Sequence, residues 1–299
     1  MKNSLGYEDP LNDPDNLLEA FALIQKWLKE QNCNISTGRF AEYVEFMRYM
    51  EECRRKKVLV PKYDMVQMAT FNREIIELTF VFSRFVGQKT DLTKELLKKI
   101  LQGHALPTED PEAERCRNYL LQLRAAVYFM DLGFDVSVNA DADVVAKQDG
   151  ITYYVECKRL YSLSQVDKRF RELRDQLSKR IQTHAEKSEP FGIAWIDPTA
   201  IFLGKIGVYS AYTRAASQVA VRMDINLFAN QCPFKFLQED SRILATVLQV
   251  VWPSICASEA RSLFVCFTSI VQPLVSKEAF RDQVRPLFDK LLKINPAPA

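Results

Sequence analysis

The residues best suited to chemistry lie in the segment 143–158, where two acids and a lysine occur in two short β-like runs. The dipeptide Asp149-Gly150 separates the runs and favours a two-residue hairpin turn, in which both central residues take positive φ. Pairing across this turn places Asp143 opposite Glu156, with Cβ atoms roughly 4.5–5.5 Å apart. Since side chains alternate along a strand, Lys158 lies on the same face as Glu156. The sequence therefore predicts two carboxylates and a lysine in one small volume.

A divalent metal ion is the occupant that this arrangement favours. Two adjacent carboxylates repel each other unless a cation lies between them. Carboxylate oxygens suit Mg²⁺ or Mn²⁺, and such an ion lowers the pKa of a bound water and neutralises charge on a phosphodiester. We therefore expect Mg²⁺ or Mn²⁺ as cofactor, bound by Asp143 and Glu156, with Lys158 beside the phosphate. The alternative is a surface hairpin whose Glu156–Lys158 pair is merely solvated, because these residue types are common.

The stretch Glu156-Cys157-Lys158, with Asp143 upstream, resembles the PD-(D/E)XK or restriction-endonuclease-like nuclease superfamily. The resemblance covers about residues 111–198. It includes a helix near 119–129, a turn at Leu132-Gly133 into a strand, the hairpin, a helix that carries Gln176, and a strand near 191–196. It implies an α/β fold with a mixed central sheet flanked by helices.

The resemblance also implies roles for individual residues. Asp143, Glu156 and the backbone carbonyl of Cys157 would bind the metal, Lys158 would be the catalytic lysine, and Gln176 would face the active site. Asp141 is a second, weaker candidate for the aspartate.

Two features depart from the family pattern. No proline precedes Asp143, and many other members of the superfamily also lack this proline. Many relatives also carry a glutamate on the first core helix, where this chain has Gln122. An amide oxygen can bind a hard cation but adds no charge, so Gln122 is an uncharged candidate ligand, and the missing third acid would weaken metal binding.

A basic segment follows the hairpin. Residues 158–187 contain nine Lys or Arg and four Asp or Glu. An apolar stripe at helical spacing (Phe170, Leu173, Leu177 and Ile181) predicts an amphipathic helix packed on the sheet. The candidates for phosphate contact are Arg159, Lys168, Arg169 and Arg180. The alternative is a solvated helix face.

The composition restricts the remaining possibilities. The chain has 299 residues, 47% apolar content and a net charge of +2, so nucleic-acid affinity must come from a local patch. The seven cysteines show no zinc-ligand spacing, which favours reduced thiols and a cytoplasmic location. No apolar run reaches the roughly 18 residues of a membrane span, so we expect no membrane association.

The chain divides into two predicted domains. Residues 1–106 are an all-helical domain, with helices expected from Pro14 and over 37–55, 63–70, 73–86 and 92–101. Residues 107–299 form the nuclease-like α/β domain, in which 243–252 and 262–271 are predicted strands and 276–292 a final helix.

These features predict a metal-dependent endonuclease-like protein that hydrolyses phosphodiester bonds, with DNA favoured over RNA. The N-terminal helices would bind a protein partner, mediate self-association or recognise the target. Two alternatives remain open. One is a catalytically weak member that acts as a nucleic-acid-binding or assembly module, and the other is a helical adaptor whose α/β part is structural.

Overall fold

The structure is a computed structural model, and it describes residues 10–57, 62–86, 94–107, 114–139, 142–184, 189–259, 262–274 and residue 287. It is an α/β fold in which one mixed sheet lies between two layers of helices. Among the described helices, none is both long and apolar enough to cross a membrane.

Four described helices lie within the first 106 residues. They are α1 (Pro14–Glu30), α2 (Gly38–Lys56), α3 (Met65–Ser83) and α4 (Lys94–Leu101). The expected start of α1 is confirmed, because the Asp13 carboxylate accepts hydrogen bonds from the backbone N–H groups of Asp15 and Asn16. The prediction of two short helices over 63–70 and 73–86 is wrong. The intervening residues contain no Gly or Pro, and Phe71 is buried in the core, so one continuous helix forms.

The elements around the hairpin occur in the predicted order. Helix α5 spans Arg115–Asp131 and is followed by β1 (Asp135–Asn139), β2 (Ala142–Gln148) and β3 (Ile151–Arg159). Helix α6 (Val166–His184) then crosses to β4 (Glu189–Asp197). Strands β1, β2 and β3 are antiparallel neighbours, whereas β3 and β4 are parallel.

The rest of the chain completes the sheet. It contains α7 (Thr199–Ile206), β5 (Tyr209–Ala211), α8 (Arg214–Ala229), β6 (Ile243–Cys256) and β7 (Ser262–Pro273). Strand β6 pairs in parallel with β4 and β5, and in antiparallel with β7. The two predicted C-terminal strands are thus confirmed and are longer than expected. The predicted helix over 276–292 lies outside the described residues, except for Leu287.

The hairpin has the predicted register. Strands β2 and β3 pair from Gln148 opposite Ile151 to Val144 opposite Val155, and this leaves the two residues Asp149 and Gly150 as the loop. Their φ angles are 52° and 81°, as a type I′ turn requires. Continuing the same register by one residue brings Asp143 opposite Glu156.

The two faces of the sheet are covered by different helices. Val155, Cys157 and their neighbours pack with α1–α5 in one apolar cluster, which runs from Leu17 to Leu287. Tyr154 lies in a second cluster, built with α6 and α8 on the other face. The division into residues 1–106 and 107–299 stays a prediction, but the first cluster is continuous across it.

Candidate active site

Asp143 is held at the start of β2 by two hydrogen bonds. Its Oδ2 accepts from the backbone N–H of Cys157 at 2.7 Å, and its Oδ1 accepts from Nε2 of Gln122 at 2.7 Å. The first bond joins the two hairpin strands, and the second joins the hairpin to α5. The acid is therefore fixed in position by its neighbours.

Glu156 lies beside Asp143 and is more deeply buried. Only 4% of it is exposed, and its Oε1 has no hydrogen-bond partner among the described residues. Nε of Arg180 on α6 forms an ion pair with Oε1 at 3.6 Å, a distance that is too long for a hydrogen bond. A buried carboxylate oxygen without a partner is costly, and its environment favours a cation or a proton.

Burial and mutual repulsion perturb both acids. Burial raises the pKa of Glu156 to about 7, and the adjacent charge of Asp143 acts in the same direction. Burial also raises the pKa of Asp143, although the Cys157 N–H and the charges of Lys158 and Arg180 oppose the rise. Two acids with raised pKa values at one place are typical of functional sites, because a bound cation or a catalytic proton relieves the strain.

The donor set fits a divalent ion only in part. The unpartnered Glu156 Oε1 and the adjacent Asp143 carboxylate supply two hard oxygen ligands. Among the described residues, no group of three or more His, Cys, Asp or Glu could hold a metal ion, so a third acid is missing there. Gln122 is beside the site, as predicted, but its NH₂ group faces Asp143. Its amide would have to turn to present oxygen to a cation.

The N–H of Cys157 donates a hydrogen bond to Asp143. The metal-binding role of the Cys157 carbonyl stays a prediction.

Lys158 and Gln176 differ in their relation to the two acids. Lys158 is half-buried, and its charge lowers the pKa of both acids, so it belongs to this cluster. Gln176 is exposed, and in the described part of the chain it forms no hydrogen bond with Asp143 or Glu156. The helix residue that reaches the site is Arg180, one turn further along α6. The role of Gln176 at the acids stays a prediction. Asp141 lies outside the described residues.

The four predicted phosphate-binding residues do not gather at Asp143 and Glu156. Lys168 is 75% exposed, and Arg169 forms an ion pair with Glu172 at 2.8 Å on the same helix. Arg180 is at the acids. Arg159 is buried, and its Nη2 lies 2.8 Å from Oδ2 of Asp197 and 3.3 Å from Oε1 of Glu77. Arg159 does not reach Asp143 and Glu156, because strand alternation turns it to the face opposite Lys158, where Glu77 and Asp197 bind it.

Sequence reasoning missed an extensive buried ion-pair network on the α5 side of the sheet. Arg124 of α5 lies 2.7 Å from Glu77 and 2.8 Å from Asp197. A second group surrounds Glu74 of α3, which contacts three arginines of α2, α3 and α5 (Arg39, Arg73 and Arg117). The available signal was the presence of Glu74 and Glu77 next to the apolar residues Ile75, Ile76 and Leu78 of helix α3.

Comparison of the chain with models of protein families, with curated proteins and with solved structures found no match in any of the three sets. The fold and the site geometry therefore carry the functional argument.

Proposed function

We propose that this protein is a Mg²⁺- or Mn²⁺-dependent phosphodiesterase of the restriction-endonuclease-like class, with DNA favoured over RNA as substrate. The observation that carries the proposal is the buried Oε1 of Glu156, which accepts no hydrogen bond from the described residues, beside the carboxylate of Asp143. Burial of two like charges is unfavourable unless a cation or a proton compensates for them.

Each residue of the cluster has a defined task in this proposal. Asp143 and Glu156 hold the ion, which when bound activates water and neutralises charge on the phosphodiester. Lys158 supplies positive charge next to the acids and stabilises the negative charge that grows on the phosphate. Arg180, on the helix that crosses above this sheet face, supplies a second cation. The order α5-β1-β2-β3-α6-β4 supports the assignment to this class.

Cleavage of supercoiled plasmid tests the proposal directly. We expect nicking with Mg²⁺ or Mn²⁺ and none with EDTA. Glu156→Gln and Lys158→Met should each reduce the rate by at least a hundredfold while leaving the circular dichroism spectrum unchanged. Glu95→Gln and Lys147→Met remove the same charges at exposed positions and should cleave as the wild type does. Wild-type protein that is inert on DNA and RNA with both metals would refute the catalytic proposal.

A second candidate function is nucleic-acid binding without cleavage. Two contacts favour it: the NH₂ group of Gln122 already faces Asp143, and Arg180 already places a cation near Glu156. This function predicts that a fluorescein-labelled duplex binds equally well with EDTA and with Mg²⁺. It also predicts that Arg180→Gln weakens binding, whereas the exposed neighbour substitution Lys179→Gln has a smaller effect.

A further inference from the structure

A cavity of about 600 Å³ opens at the carboxyl ends of β3 and β4. Arg159 ends β3, and Thr199 begins the helix that follows β4. Helices α3, α5, α6 and α7 supply the other walls. In open α/β sheets, the carboxyl ends of parallel strands are the usual place for ligands.

The lining of this cavity is rich in arginine. Four arginines line it (Arg73, Arg117, Arg159 and Arg169), whereas Glu114 is the one carboxylate among the described lining residues. Arg117 is satisfied by Glu74, by Glu114 and by the carbonyls of His104 and Ala105. Arg73 is different: it is 3% exposed, and its Nε has no hydrogen-bond partner in the described part of the chain.

The ion-paired side chains behind the cavity, counted over the described residues, include more guanidinium groups than carboxylates. The group around Glu74 contains three guanidinium groups (Arg39, Arg73 and Arg117) and two carboxylates (Glu74 and Glu114), counted over the described residues. The adjoining group of Arg124, Arg159, Glu77 and Asp197 is neutral. Among these described side chains, one positive charge is left over, and it is buried next to an open volume. A buried charge without a counter-charge is costly, so an anion in the cavity would stabilise the protein.

We propose that this cavity binds a phosphate monoester of nucleotide size. A guanidinium fork suits phosphate because several N–H donors can reach its oxygens at once. The volume exceeds what a bare phosphate ion needs and falls within the range of roughly 300–1,000 Å³ that is typical of small-molecule sites. Val66, Ala200 and Leu203 also line the cavity and offer an apolar wall for the organic part of the ligand.

This cavity is separate from the two acids. Arg159 and Lys158 are adjacent in β3, and strand alternation turns them to opposite faces of the sheet. The proposal therefore does not depend on nuclease activity, and a Glu156→Gln variant should bind the ligand as the wild type does.

Calorimetric titration and thermal shift with the four ribonucleoside monophosphates test the site, with the unphosphorylated nucleosides and inorganic phosphate as reference probes. We expect at least one monophosphate to bind and to raise the melting temperature. Its nucleoside should produce no shift, and inorganic phosphate should bind more weakly. Arg73→Gln should weaken binding at least tenfold. This variant leaves Arg39 and Arg117 to balance Glu74 and Glu114, so it should fold. Arg48→Gln, at an exposed position of α2, is the matched control and should bind normally.

A second variant tests the site through its shape. Ala200→Leu, on the apolar wall, should also weaken binding at least tenfold without changing any charge. Two outcomes would overturn the proposal: absence of binding by all four monophosphates at millimolar concentration, or binding that survives both Arg73→Gln and Ala200→Leu. Equal affinities for inorganic phosphate and for the monophosphates would contradict the proposal that the ligand has the size of a nucleotide.

Discussion

The amide of Gln122 donates a 2.7 Å hydrogen bond to Oδ1 of Asp143, and this contact ties helix α5 to the hairpin that carries the candidate active site. A neutral donor therefore lies at the position where the family resemblance implies a glutamate. The contact compensates part of the negative charge of Asp143 in the absence of metal, but it adds no charge that would hold an ion.

Substitution of this residue tests its role. Gln122→Glu replaces the donor by a third carboxylate, so the metal-free protein should be less stable, because three acids then repel one another. Affinity for Mn²⁺ should rise about tenfold or more, since the added charge attracts the ion. Titration calorimetry measures the affinity, and Gln182→Glu, at an exposed position of α6, is the control. Unchanged affinity in Gln122→Glu would exclude Gln122 from the metal site.

The pKa of Glu156 predicts an unusual pH dependence of stability. Burial and the Asp143 charge raise this pKa from its ordinary 4.5 to about 7. Between these two pH values, Glu156 therefore keeps its proton in the folded state and has lost it in the unfolded state. The associated stability is fully present below pH 4.5 and is lost as pH rises through 7. The loss amounts to at most about 3 kcal/mol.

Urea denaturation in EDTA from pH 4 to 8 measures this effect. Glu156→Gln mimics the protonated acid, so it should match the wild type at pH 4 and exceed it in stability at pH 8. Adding Mn²⁺ at pH 8 should stabilise the wild type and leave the variant unchanged. Glu95→Gln should follow the wild type throughout. A Glu156→Gln variant that is less stable than the wild type at pH 8 would contradict the assigned environment.

The buried network makes a prediction about stability alone. Arg124 is fully buried between Glu77 and Asp197. Arg124→Met removes positive charge that compensates these buried carboxylates. It should lower the free energy of unfolding by about 3–5 kcal/mol. Arg54→Met removes an exposed ion pair with Asp15 and should change the denaturation midpoint very little. Similar effects in the two variants would show that the buried network does not carry the expected energy.

The hairpin turn makes a local prediction. Gly150 has a φ of 81°, and a Cβ placed there would meet nothing within 4 Å, so the cost of a side chain is conformational only. Gly150→Ala should lower the free energy of unfolding by about 1 kcal/mol. Asp149→Asn, in the same left-handed region, should be neutral because Asn tolerates that conformation. An equally stable Gly150→Ala variant would argue against the type I′ turn.

The sequence by itself determined the hairpin and the faces of its side chains. The turn depends on the φ preferences of Asp149 and Gly150, which are local, and the two-residue period of a strand then assigns Glu156 and Lys158 to one face. The apolar stripe from Phe170 to Ile181 likewise sets which side of α6 meets the sheet, and these four side chains are buried as predicted.

Only the tertiary structure decided which polar residues meet. Arg180, rather than Gln176, reaches Glu156 because the position of α6 along the sheet depends on packing with several elements. Arg159 binds Glu77 across 82 residues of sequence, and Arg124 binds Asp197 across 73. No local pattern encodes such pairs, since the burial that makes a charge require a partner exists only after distant segments have packed together. The cavity lined by Arg73 also depends on tertiary packing. Its walls come from helices that are distant in sequence, and the order of these helices in the chain does not predict the volume between them.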